Sequence, residues 1–213
     1  ASRLTYVSGN AVKNAATNVK TQLFEQAAEM LEANAADLMS RDGRIFVKGA
    51  EGKAVTVADV ARARLFRHNG APIVGSGSFD ADSVLPDSTR FGNESGAYNY
   101  GVQAAQVHVD PQTGQVKVLQ MVVASDCGTV IYPIGAEGQV EGGLAQGIGY
   151  ALTEGLQIDE GRPLNPNFSD YRIPSMRDMP PLQHAFADSY EPTGPFGAKG
   201  LGELNMDPTA AVI

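Results

Sequence analysis

Apolar residues recur at three- and four-residue spacing between Ala11 and Asn34, at Val12, Ala15, Ala16, Val19, Leu23, Ala27, Met30 and Leu31. That period places them on one face of an amphipathic α-helix. The residues ahead of it, Ser2 to Ser8, read as extended, with Ser8-Gly9-Asn10 capping the helix that follows. Beyond it, Asp37–Ser40 and Arg44–Lys48 flank Arg41-Asp42-Gly43, which predicts a β-hairpin. Thr56-Val-Ala-Asp59 resembles a capping box and opens a second predicted helix, ending near Phe66.

From Gly70 to Asn99 the periodicity gives way to Gly, Ser, Asp and Pro, which predicts a long loop, either a linker or a lid; in a fragment, a segment that packs on absent parts of a parent chain is favoured. Alternation returns at Gly101–Asp110 and Gln115–Ser125, on either side of Pro111-Gln-Thr-Gly114, and gives the clearest hairpin signal. Asp126-Cys127-Gly128 and Tyr132-Pro133 end it. Ile134 to Leu156 reads as a helix punctuated by Gly138, Gly142, Gly143, Gly147 and Gly149. Each interior glycine costs about 1 kcal/mol relative to alanine, so something is expected to pack close to this backbone. Residues 157–180 are polar and proline-rich, hence irregular, Leu182–Tyr190 reads as a strand, and Asp207-Pro208 reads as the start of a last helix. The pattern predicts an α+β fold of antiparallel hairpins with packed helices, organised as residues 1–69, a connection over 70–100, and 101–213.

Composition narrows the function classes. A net charge of −8 over 213 residues argues against non-specific binding to nucleic acid or to an anionic membrane. The lone cysteine, Cys127, excludes an internal disulfide framework and a Cys-based zinc or iron–sulfur site within this chain. His68, His108 and His184 show no metal-ligand spacing, and no residue is assigned as a metal ligand. No apolar run approaches membrane-spanning length and no signal peptide opens the chain, which predicts a cytoplasmic location. The chain begins at alanine and stops just inside an apparent helix, so it reads as a piece of something longer.

The candidate chemistry lies in Gly194–Glu203, where four glycines, one lysine and one glutamate fall together. Glycines let a backbone approach a bound group closely. Lys199 would either supply a point charge to an anionic group or stand as a solvated loop charge. Glu203, with Gly202 before it and Leu201 and Leu204 around it, is expected to be desolvated, a setting that raises a carboxyl pKa towards the range of a general base. A plain surface loop leading into a helix is the competing reading.

Three motifs in register change that balance. Gly138-Gln-Val-Glu-Gly-Gly143 with Gln146-Gly-Ile-Gly149, preceded by Asp126-Cys-Gly128, resembles the molybdopterin-binding large subunit of the xanthine dehydrogenase and aldehyde oxidoreductase family. Gly197-Ala-Lys-Gly-Leu-Gly-Glu203 resembles its active-site glutamate loop, and Ser2-Arg3 through Ser8-Gly9-Asn10 the turn entering a helix beside the pterin. The resemblance covers nearly the whole chain and implies its C-terminal portion of that subunit.

It further implies a molybdopterin cofactor, possibly as a dinucleotide, and hydroxylation of an aldehyde, purine or N-heteroaromatic carbon with oxygen from water. Electrons would leave through [2Fe–2S] clusters and FAD on other chains. By position Glu203 would be the general base and Gln139 a cofactor hydrogen-bonder. Ser8, Gly9 and Asn10 would offer donors to the pterin or its phosphate, and Lys199, Gly200 and Gly202 would adjoin it. Cys127 is read as a small buried residue, and Glu137, Glu141 and Glu154 as solvated or paired helix acids. The substrate-gripping residues lie upstream of this chain in the family, so the resemblance implies an incomplete active site. The partners would be a small-molecule substrate, the upstream half of the large subunit, and iron–sulfur and flavin subunits. Two alternatives remain: a non-catalytic assembly or scaffold fragment, and a reductive relative acting on an aromatic thioester. Loop 157–180 is expected to border the substrate funnel.

Overall fold

The computed structural model describes residues 3–67, 70–89 and 91–213; Ser2 and His68 lie outside the described residues. The chain packs as two compact units, Ser8–Asp80 and Ala1–Val7 with Ala81–Ile213. The first helix, α1, runs from Leu4 to Leu31. It therefore starts before the predicted cap, and Ser8-Gly9-Asn10 lies inside it. The cap-forming tendency of those residues is a bias of at most about 1 kcal/mol each, which an established helix overrides. Val7 N–H already donates to the Arg3 carbonyl at 2.9 Å, one turn earlier.

In the Ser8–Asp80 unit, Ala27 and Leu31 of α1 close a core with Leu38, Ile45 and Val60. Val12, on the predicted apolar face, is instead 67% exposed. Strands β1 (Leu38–Arg41) and β2 (Arg44–Val47) form the expected hairpin, with Asp42 and Gly43 at φ 49° and 73°. Two successive left-handed residues match the twist of a tight hairpin. A third strand, β3 (Ala50–Thr56), pairs with β2 and was not anticipated, because its exposed Glu51-Gly52-Lys53 carries no strand signature. Helix α2 (Val57–Arg67) begins as predicted: Asp59 N–H donates to Thr56 Oγ1 (3.1 Å) and the Thr56 hydroxyl donates to Asp59 Oδ2 (2.7 Å). Among its described residues the connection from Gly70 has no named helix or strand, and its early part packs on α1 rather than waiting for absent chain. Asn14 Nδ2 donates to Ser78 O (2.8 Å) and Gln22 Nε2 to Val74 O (2.7 Å).

In the other unit, β4 (Tyr100–Val109) and β5 (Val116–Asp126) form the long antiparallel hairpin. Helix α3 (Pro133–Leu152) covers one face, where Met121 and Val123 meet Val140, Leu144 and Ile148. It ends short of the predicted Leu156, because Thr153 and Glu154 N–H both close on Gly149 O (2.9 and 2.8 Å). Residues 157–180 are irregular apart from the small pair β6 (Ile158–Asp159) and β7 (Arg162–Pro163). Strand β8 (Leu182–Phe186) then joins β5 in parallel, giving the order β4-β5-β8. The chain closes on α4 (Thr209–Val212), where Pro208 is itself the cap position and Asp207 makes no cap bond. The α+β class holds, with one parallel pairing added to the antiparallel hairpins.

Candidate functional site

β5 ends on Ser125-Asp126, and the chain leaves the sheet through Cys127-Gly128 to meet the glycine-rich loop. Gly128 bridges to Ala198, Lys199 N–H donates to Cys127 O (2.8 Å), and Thr129 N–H donates to Gly197 O (2.8 Å). Two motifs far apart in sequence are thus one piece of structure. Gly197 makes the turn possible: its φ is +86°, and a Cβ there would lie 2.2 Å from the Tyr190 ring.

Lys199 is buried, at 8% exposure. Its Nζ lies 2.6 Å from Asp126 Oδ2 and 5.4 Å over the Tyr100 ring. The second Asp126 oxygen accepts from the Ser189 hydroxyl and from Gly128 N–H (3.1 Å). Burial pushes the Asp126 pKa up, but the bonds from Lys199, Ser189 and Gly128, with the Lys199 charge, outweigh it and hold the carboxyl below its ordinary value. Lys199 is therefore not a solvated loop charge, and its ammonium is already matched by a carboxylate. Cys127 is buried, as expected, and burial followed by the Asp126 charge pushes its thiol up, which keeps it protonated.

Glu203 opens a 3-10 turn, Glu203–Asn205. Asn205 is 1% exposed: its Oδ1 accepts from Ser125 Oγ (2.5 Å) and its carbonyl from Gln103 Nε2 (2.7 Å) and Thr209 Oγ1 (2.9 Å). Leu204 packs on bare Gly101, where a Cβ would lie 3.2 Å from its Cδ1. Two glycines of α3 seat the same segment. A Cβ on Gly143 would meet Asn205 Cβ at 3.0 Å, and one on Gly147 would meet Thr209 Cβ at 2.4 Å. The close packing predicted for α3 is thus met, at these positions, by the chain's own glutamate loop. Gly138 and Gly142 are different: a Cβ on either would meet nothing within 4 Å, so this stretch of helix backbone is bare and open.

Glu203 itself is exposed. The desolvation expected from Leu201 and Leu204 is not supplied by this chain, because Leu204 turns to the sheet. Beside the loop lies a cavity of about 240 Å³ lined by Thr5, Cys127, Tyr132, Gln139, Lys199 and Leu201, among others. It brings together Gln139 and Lys199 from the predicted set, and Gly200 follows Lys199, buried, with Gly202 before Glu203. Ser8, Gly9 and Asn10 belong to the other compact unit, inside α1, where backbone N–H groups beyond the first turn bond within the helix. Of the acids expected on the helix, Glu137 lies 3.8 Å from His184 Nε2 and Glu141 is exposed, whereas Glu154 falls beyond the end of α3, where it accepts from Tyr171 Oη (2.7 Å).

Sequence reasoning missed Thr5, Ser125, Asn99 and Asn205. Thr5 sat in a stretch read as extended. Asn99, which donates to the Gly200 carbonyl, and Ser125, which holds Asn205, act across 101 and 80 positions, separations that no local pattern signals. Among the described residues, no helix is long and apolar enough to cross a membrane.

Comparison with known proteins bears on this arrangement directly. The molybdopterin cofactor-binding domain family matches residues 1–180. The chain is 35% identical to the gamma subunit of the 6-hydroxypseudooxynicotine dehydrogenase complex of Paenarthrobacter nicotinovorans, over all of this chain and 26% of that protein. It is 34% identical to the putative xanthine dehydrogenase molybdenum-binding subunit of Escherichia coli K12, over all of this chain and 27% of that one. In structure it is similar to quinoline 2-oxidoreductase from Pseudomonas putida 86, with a TM-score of 0.76 and 29% identity over 93% of this chain and 25% of that chain. The chain spans about a quarter of the length of the curated relatives it matches.

Proposed function

Because the chain belongs to the molybdopterin cofactor-binding domain family of the xanthine dehydrogenases and aldehyde oxidoreductases, we propose that it supplies one wall of the cofactor site and the general base of a molybdenum-dependent hydroxylase. The residues present fit that group. The Gln139 side chain, an amide able both to donate and to accept, lies beside bare helix backbone at Gly138 and Gly142 and lines a partly apolar cavity. That combination suits a flat heteroaromatic ring with a hydrogen-bonding edge. Gln139 would bond the cofactor, and the backbone of Gly200 and Gly202 would lie against it. When bound, the cofactor supplies the oxidising centre at which oxygen from water is transferred to an electron-poor carbon. The contribution of this chain is positional and protic: Glu203 holds a carboxylate at the tip of an anchored turn, ready to accept a proton.

The observation that carries the reading is the joining of the Asp126-Cys-Gly128 and Gly197–Glu203 motifs into one unit beside Gln139. Oxidoreductase chemistry on an N-heteroaromatic compound is favoured among the substrate classes by the xanthine dehydrogenase and quinoline oxidoreductase relatives. The remainder of the large subunit would complete the site, and iron–sulfur and flavin chains would carry the electrons away in the cytoplasm. Glu203→Gln in the assembled enzyme tests the assignment. Turnover per molybdenum should fall by about 10²–10⁴-fold, the ordinary weight of a general base, with molybdenum content unchanged. Unchanged turnover per molybdenum would instead favour the scaffold reading, in which this chain only holds its complex together.

A further inference from the structure

The two residues that end β5 grip the glutamate loop from both sides. Ser125 and Asp126 are consecutive in a strand, so their side chains leave opposite faces of the sheet. Asp126 holds Lys199 on one flank of Glu203, at 2.6 Å, and Ser125 holds Asn205 on the other, at 2.5 Å. Both partners are at least nine-tenths buried: Lys199 is 8% exposed and Asn205 1%. Between the two anchors, Asn99 Nδ2 donates to the Gly200 carbonyl and, at 3.3 Å, to that of Asp126, tying the loop to the same strand end a third time. The segment between the anchors, Gly200 to Leu204, contains two glycines and would wander without them.

We propose that Ser125 and Asp126 are the positioning residues of Glu203, acting through Asn205 and Lys199 as a two-sided clamp that fixes the carboxylate on the strand end. Each acts on the backbone that carries the base, through the residue it holds. A reacting group displaced by about 1 Å loses on the order of 10²-fold in rate, so a clamp of this kind bears directly on turnover. The proposal rests on the reading of Glu203 as the base, and its test separates the two.

The test uses the complete enzyme complex carrying Asp126→Asn, Ser125→Ala or the conservative Ser125→Thr, assayed beside Glu203→Gln. Amide hydrogen exchange of the peptide spanning 199–207 is followed in molybdenum-free and molybdenum-loaded enzyme, and kcat and KM are measured on the loaded form. Asp126→Asn and Ser125→Ala should exchange at least 10-fold faster in this peptide in both forms. Their kcat should fall about 10- to 100-fold with KM within about twofold, and Ser125→Thr, which keeps the hydroxyl, should restore both readouts. If Asp126→Asn fails to assemble, Ser125→Ala carries the same test with one neutral hydrogen bond removed. Unchanged exchange over 199–207 would overturn the clamp, whatever the activity. Retained turnover in Glu203→Gln, with faster exchange in the clamp variants, would leave the clamp standing and remove the base.

Discussion

Asp126 shows how a carboxylate named only as part of a motif comes to hold a loop. Its partner Lys199 lies 73 positions away, so the pair is invisible to any local reading, whereas Glu203, Gln139 and Lys199 each stand out in the sequence as candidates through their motifs. Legibility had a limit even there: the leucines around Glu203 suggested burial, but Leu204 is committed to the notch at Gly101 and Glu203 stays exposed. The Asp126 pairing has a pH signature. Its folded pKa is depressed below 3.8, so the carboxylate stabilises the fold above its unfolded value, about 3.9, and that contribution is lost as pH falls through the lower folded value. Asp126→Asn removes the titration. The gap in thermal stability between the native protein and this variant should therefore be largest above about pH 5 and narrow steadily towards pH 3. Melting curves across that range check it, and a gap that widens on acidification would contradict the assignment.

Among the elements, hairpins were the easiest to read and α3 the most instructive. Asp42-Gly43 and Gly114 supply the left-handed backbone their turns need, so both hairpins were legible from sequence, although the bulge between Gln106 and Val107 was not. The start of α1 was misplaced because Ser8-Gly9-Asn10 has a capping composition in a place where no cap is needed. In α3 the number of glycines was visible, but what each one faces was not. Gly147 abuts Thr209 and Gly143 abuts Asn205, while Gly138 and Gly142 face open space. Alanine should sort them. Gly138→Ala and Gly142→Ala should raise the stability of this chain by about 0.5–1 kcal/mol each, through helix propensity alone. Gly147→Ala, forced against Thr209 Cβ at 2.4 Å, should cost about 1–3 kcal/mol. Denaturant titration measures both. In the assembled enzyme, Gly138→Ala and Gly142→Ala should also lower retained cofactor, because their bare backbone is the face assigned to it.

At the largest scale, within the unit that holds the sheet β4-β5-β8, the described residues bury one face of the sheet against α3 and leave apolar side chains exposed on the other. Met121 and Val123 point to α3 and are buried. On the reverse face Val102 pairs with Ala124, Ala104 with Val122, and Ala124 with Ala185, a small apolar patch where an antiparallel hairpin facing water would be polar. Val102 is 66% and Val122 42% exposed. The chain spans about a quarter of the length of the relatives it matches, and we propose polypeptide corresponding to the rest as the cover of this face. Val122→Lys should change the stability of this chain by no more than about 0.5 kcal/mol, since it alters an exposed position away from any cap, core or buried pair. Within the complete enzyme the same ammonium would be buried without a partner, which costs several kcal/mol. Assembly should then fail: size-exclusion chromatography of co-expressed chains should show this chain running apart from the rest. Normal co-elution of Val122→Lys would mean that the reverse face stays in water, and that the apolar pattern on it has another cause.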